Sequence, residues 1–182
     1  MRALGPGSVS SFLKVILDVV RWVLIISIGA TSVAIVAVLL LSFNPALLGG
    51  SINFAEIHIK GVWLGPIAAA TLLAADLYLA GALVIVGRLR RIFQTLIAGD
   101  PFHPDNVRRL RVIGGALAAL EVGRFAFVAA APLVAYNLRL GRIHVGGGGV
   151  NVTTWFAVLV IVVLAEVFRE GARLRGEAEL TI

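Results

Sequence analysis

The sequence predicts an all-α membrane protein of four transmembrane helices, and three observations carry that prediction. Four apolar stretches, residues 19–43, 62–87, 112–136 and 150–168, approach or exceed the roughly 20 residues a helix needs to cross a hydrocarbon core. The chain is 59% hydrophobic, has a mean hydropathy of +0.99 and is only 14% charged, against about 25% charged residues in a soluble domain. Lys and Arg crowd into alternate loops, the signature of a chain threading a bilayer. Four helices with short connections use nearly all 182 residues, so the chain reads as a single four-span domain arranged as a bundle.

The first span follows a stub, residues 11–21, in which Phe12, Val15, Ile16, Val19 and Val20 alternate with Lys14, Asp18 and Arg21. That spacing predicts an amphipathic extension along the lipid headgroups. Residues 22–43 carry no charge and exceed the roughly 7–15 apolar residues of a cleavable signal, so the first helix is expected to be retained. Span two contains one charge, Asp76, and continues as a helix through Ile92, Phe93 and Leu96. Gly99 is placed to stop it, and Pro101 and Pro104 prevent its continuation. Asp105 or Asn106 is expected to cap the next helix, whose first turns carry Arg108, Arg109 and Arg111 into span three. Span four ends near Glu166, read as a rim residue, and its helix runs on through a tail containing Arg169, Glu170, Arg173 and Arg175. Glu170 with Arg173 and Arg173 with Glu177 are helix-spaced ion pairs. Ala70 with Ala74, Gly114 with Ala118 and Gly115 with Ala119 predict close approach of spans two and three.

The outer loops are less regular. Residues 48–61 include the alternating run Ile57, His58, Ile59, Lys60, and residues 138–145 include Leu140, Ile143 and Val145. Both have strand character, and a small extracytoplasmic β-ribbon pairing the two loops is expected. Glu56, His58 and His144 would lie near it, but they lack the tight spacing of a metal motif and are read as solvated ribbon residues, with no metal assigned.

Orientation comes from counting basic residues. The N-terminal segment, the central loop and the tail hold twelve Lys and Arg, while the two outer loops hold three: Lys60, Arg139 and Arg142. The positive-inside rule therefore places both termini and the central loop in the cytoplasm.

Three ionisable residues lie at depth. Along ideal helices Asp76 is about 16 Å from the end of span two, and Glu121 and Arg124 are about 15 and 20 Å from Arg111. Antiparallel packing of spans two and three would bring Asp76 to Arg124, and Glu121 and Arg124 share a helix face. A buried cluster of Asp76, Glu121 and Arg124 is the expectation. It would act as a polar latch fixing helix register or, with two carboxyls to one guanidinium, as a proton or cation site.

Several functions are disfavoured. The net charge of +6 sits beside membrane spans rather than on a soluble nucleic-acid module, so anionic lipid, not nucleic acid, is the expected direct partner. With no cysteine there is neither a disulfide nor a thiolate site. The loop holding Asp100, Phe102, His103, Asp105 and Asn106 has no nucleophile with a positioned base, no phosphate-cradling glycines and no metal-ligand helix, so no enzyme activity and no cofactor are expected.

Two stretches are more specific. Residues 99–113, with Asp-Pro-Phe, Asn106 and Arg-Arg-Leu-Arg, and residues 165–175, followed by Glu179, Leu180, Thr181 and Ile182, closely resemble the bacterial four-span membrane family known as domain of unknown function 2975. Gly176 stands where members often carry a second acidic residue. Genes of that family often lie beside a small helix-turn-helix regulator of the Cro/C1 type. The resemblance thus implies a multi-pass bacterial inner-membrane protein that holds or controls a cytoplasmic DNA-binding protein, and it implies no catalytic residues.

The leading expectation is a noncatalytic anchor or sensor that docks such a regulator on a face built from Asp100, Phe102, Asp105, Asn106, Arg108, Arg109 and Arg111 with Arg169, Glu170, Arg173 and Arg175. The competing expectation is a small proton- or ion-linked transporter using the intramembrane cluster. A four-span chain lacks the inverted repeats of many transporters, so that reading calls for a homo-oligomer. A third is an accessory subunit of another membrane protein.

Overall fold

A computed structural model of the chain describes residues 9–42, 52–54, 57–59, 64–137 and 149–179. Four long helices dominate it: α1 Val9–Ser42, α2 Leu64–Ile97, α3 Pro104–Asn137 and α4 Val152–Glu179. All four are long and apolar enough to cross a membrane. The first three have 34 residues each, or about 50 Å at 1.5 Å per residue, against a hydrocarbon core of about 30 Å. The apolar runs alone therefore understate the helices. The stub of residues 11–21 is continuous with α1, α2 runs ten residues past the end of its apolar run at Gly87, as expected from Ile92, Phe93 and Leu96, and α3 begins at Pro104.

Large apolar side chains stay uncovered by protein, among them Trp22, Val33 and Leu40 on α1, Leu77 on α2 and Leu159 on α4. In water such surfaces would drive aggregation, whereas in a bilayer lipid chains cover them. Helix association then rests on close packing and polar contacts more than on removing apolar area from water.

The loop between α1 and α2 contains two short strands, β1 Ile52–Phe54 and β2 Ile57–Ile59, paired antiparallel with Asn53 opposite His58. Strand character was thus legible here. The second outer stretch that was expected to join a ribbon, residues 138–145, lies outside the described residues, as do Glu56 and His144.

The chain groups into two compact units, the first comprising Met1–Leu24, Gly81–Glu121 and Asn151–Ile182, the second Ile25–Ala80 and Val122–Val150. The core of the first consists of Ile92 on α2, Leu110 and Ile113 on α3 and Ala165 on α4, ringed by Ile85, Leu89, Leu96, Leu117, Ile161 and Phe168. Close approach of α2 to α3 occurs at Gly81, where an added Cβ would lie 2.5 Å from Leu120 Cδ2. Gly114, expected to face span two, instead meets Ile161 of α4. In the second unit α1 ends against the start of α2: a Cβ on buried Gly65 would fall 1.4 Å from Ser42 Oγ.

Candidate functional site

The loop between α2 and α3 is built by local rules. Gly99 takes φ +82°, a left-handed conformation that costs glycine little. Its amide donates to the Leu96 carbonyl and the Asp100 amide to the Thr95 carbonyl, at 3.1 and 3.0 Å. This pair of bonds is a Schellman C-cap, and it satisfies carbonyls that the helix end would otherwise orphan. Pro104 occupies the first position of α3, where its missing N–H costs nothing. That makes His103 the capping residue: its Nδ1 accepts from the Asp105 amide at 3.2 Å. The expected cap at Asp105 or Asn106 is corrected by this one-turn bookkeeping, because both already lie inside the helix.

Asn106 is fully buried, with 0% exposure. Its Nδ2 donates to Thr95 Oγ1 at 2.7 Å and to the Pro101 carbonyl at 3.1 Å, and its Oδ1 accepts from Arg109 Nη1 at 2.9 Å. The same guanidinium nitrogen reaches the Arg91 carbonyl at 3.1 Å, and Nη2 lies 3.5 Å from Asp105 Oδ2. A buried amide with its donors and acceptor all engaged is a structural pin tying the end of α2 to the start of α3.

The loop is in turn fastened to the tail of α4. Phe102 packs on Phe168 with ring centroids 5.8 Å apart at 53°, a tilted aromatic pair. Its ring lies over Gly171, where a Cβ would come within 2.5 Å of Phe102 Cδ1. Asp100 is ion-paired with Arg175. Along the tail Arg169 pairs with Glu166, and Arg173 with Glu170 and, at 3.8 Å, with Glu177, the last two as the helical spacing predicts. The two stretches singled out in the sequence therefore meet in the first unit. Within it Asp100, Phe102 and Arg109 are engaged by neighbours while partly exposed, and Asn106 is buried and no surface residue. Arg108, Arg111, Arg169, Glu170 and Arg173 remain exposed. Also in this unit, Asp18 on α1 lies 2.7 Å from Arg90 Nε on α2. The geometry is that of an ion pair without an aligned hydrogen bond.

The intramembrane residues take partners of different kinds. Asp76 meets two α1 hydroxyls: Oδ1 is within hydrogen-bond distance of Thr31 Oγ1, and Oδ2 accepts from Ser32 Oγ at 2.8 Å. Arg124 Nη2 donates to the Gly149 carbonyl at 2.8 Å. Glu121, 6% exposed, accepts from the backbone amide of Asn151 at 3.2 Å, and Asn151 caps α4 through Oδ1 to the Thr154 amide. Among the described contacts Asp76 is thus held by α1 and not by Arg124. The missed partners had a signal: Ser27, Thr31 and Ser32 are the only polar residues in 22–41.

No curated protein and no solved structure matches the chain. The family model described as "Protein of unknown function (DUF2975)" matches residues 20–182, which covers α2, α3, α4 and most of α1 together with both joined stretches. With four membrane-type helices in the same span of sequence, the chain belongs to the DUF2975 family of proteins of unknown function.

Proposed function

We propose that this multi-pass membrane protein is a noncatalytic protein of the bacterial inner membrane that anchors, sequesters or signals to a small cytoplasmic DNA-binding regulator. The observation that carries the reading is the fastening of the central loop to the tail through Asp100 with Arg175 and Phe102 with Phe168. Two stretches far apart in sequence are held as one ordered surface, which lowers the ordering cost of docking a partner. Arg169 and Arg173 are already paired along the helix with Glu166 and Glu170, so exposed Arg108 and Arg111 supply the basic groups suited to an acidic partner face. The basic-residue count puts loop and tail in the cytoplasm, and the family resemblance supplies the regulator as the kind of partner.

The test is affinity purification from native membranes in mild detergent, with mass spectrometry, of wild type against Arg108→Glu/Arg111→Glu. Neither arginine makes a described contact, so the reversal changes surface charge and leaves the loop's internal bonds intact. Recovery of a small helix-turn-helix protein with wild type and its loss in the variant is the expected result. Equal recovery from both would remove the docking face, and recovery of none would remove the anchor reading.

A further inference from the structure

Asp76 lies in the second unit, in the apolar part of α2, and meets two consecutive residues of α1, one with each carboxyl oxygen. An ionised carboxylate in a membrane span is costly unless a cation or a full set of donors compensates it. Among the described residues Asp76 has no Lys, Arg or His partner, and the Arg124 contact that is described goes to the Gly149 carbonyl.

The single hydroxyl proton of Thr31 admits two arrangements of the group. Thr31 Oγ1 lies within hydrogen-bond distance of three oxygens: the Ser27 carbonyl at 2.8 Å, the Ile28 carbonyl at 3.1 Å and Asp76 Oδ1. A hydroxyl has one proton to donate. If Thr31 donates to an ionised Asp76, its contacts with the α1 carbonyls carry no hydrogen. If the carboxyl holds a proton on Oδ1, that proton goes to Thr31 Oγ1, the Thr31 proton goes to the Ser27 carbonyl, and the Ser32 hydroxyl donates to Asp76 Oδ2. Carboxyl and hydroxyls are then bonded in sequence, and the group is neutral in the bilayer.

We infer that Asp76, Thr31 and Ser32 form an intramembrane proton-binding site, with the proton held between Asp76 Oδ1 and Thr31 Oγ1. Release of that proton turns the Thr31 hydroxyl away from the Ser27 carbonyl and puts a negative charge on the contact between α1 and α2. The site is independent of the docking surface and of the regulator.

The test is infrared spectroscopy of the full chain in lipid vesicles without sodium, with carbon-13 labelling of the aspartate carboxyls. The expected result is a carbonyl band of a protonated carboxyl that shifts on labelling and disappears in Asp76→Asn. That variant is suited to fold, because its amide donates to Thr31 and accepts from Ser32 in the same places. The chain has four aspartates, so the labelling shift reports a protonated aspartate and the variant assigns it; if Asp76→Asn does not accumulate, a displaced band in Thr31→Val makes the assignment, and an unmoved band there overturns it. A wild-type spectrum with only ionised aspartate would overturn the inference. Conversion of the band to the carboxylate form on adding sodium at constant pH would also overturn it, in favour of an alkali-cation site.

Discussion

Asp100 is ion-paired with Arg175 across 75 residues of sequence, and this contact joins the α2–α3 loop to the tail of α4. Both side chains are about a third to a half exposed, 34% and 48%, so water and salt screen the attraction and the pair is worth roughly 0–1 kcal/mol. Its role is therefore order more than stability. Arg175→Ala should leave thermal unfolding in detergent within a few degrees of wild type while speeding tryptic cleavage of the tail. The charge-swapped pair Asp100→Arg/Arg175→Asp should recover the slower cleavage, and failure to recover would mean the tail is held by other contacts.

Asn106 is the opposite case, since none of it is exposed and its amide bonds Thr95, Pro101 and Arg109. Truncation leaves the Pro101 carbonyl and one Arg109 donor without their partner inside the protein, at a cost of about 1–3 kcal/mol. Asn106→Ala should therefore unfold several degrees lower than wild type in a detergent thermal-shift measurement. A shift no larger than that of Arg175→Ala would show that water replaces the lost bonds and that the residue is no pin.

Gly171 tests the aromatic contact separately. A methyl group there would sit 2.5 and 2.6 Å from Phe102 Cδ1 and Cε1, so the ring has to shift from its present place beside Phe168. Overpacking of this kind costs about 1–3 kcal/mol. Gly171→Ala should destabilise the wild-type background clearly and the Phe102→Ala background hardly at all, a coupling above about 0.5 kcal/mol in a double-mutant cycle. Additive effects would place the methyl group against something other than the ring.

The four spans, the stop at Gly99 and the tail's Glu170 and Arg173 pair were legible in the sequence because each depends on local composition or on helical spacing. The partners of Asp76 were not. The part of α1 within the bilayer carries no charge, and the side that meets α2 is marked only by the hydroxyls Thr31 and Ser32. A search for charged partners alone passes over hydroxyls such as Thr31 and Ser32. The docking candidates divide for a related reason: the motif text marks Asn106 and Arg108 alike, but only side-chain packing sends Asn106 inward and leaves Arg108 exposed.

Glu121 separates hydrogen bonding from charge at the start of α4. Its Oε1 accepts the amide of Asn151, the residue that caps α4, and Asn151 in turn accepts from the Thr154 amide. A carboxylate beside a helix N-terminus also gains from the macrodipole, by about 0.3–1 kcal/mol at an exposed site and up to about 2 when partly buried. Glu121→Gln retains an oxygen acceptor for the Asn151 amide and gives up the charge. Glu121→Leu gives up both, so the partly buried hydrogen bond to the Asn151 amide is lost as well, adding about 0.5–1.5 kcal/mol. The expected order of stability in detergent is wild type, then Glu121→Gln, then Glu121→Leu by a wider margin. If Gln and Leu fall together, the charge of Glu121 outweighs its hydrogen bond to Asn151. If Leu equals wild type, the start of α4 does not depend on this contact.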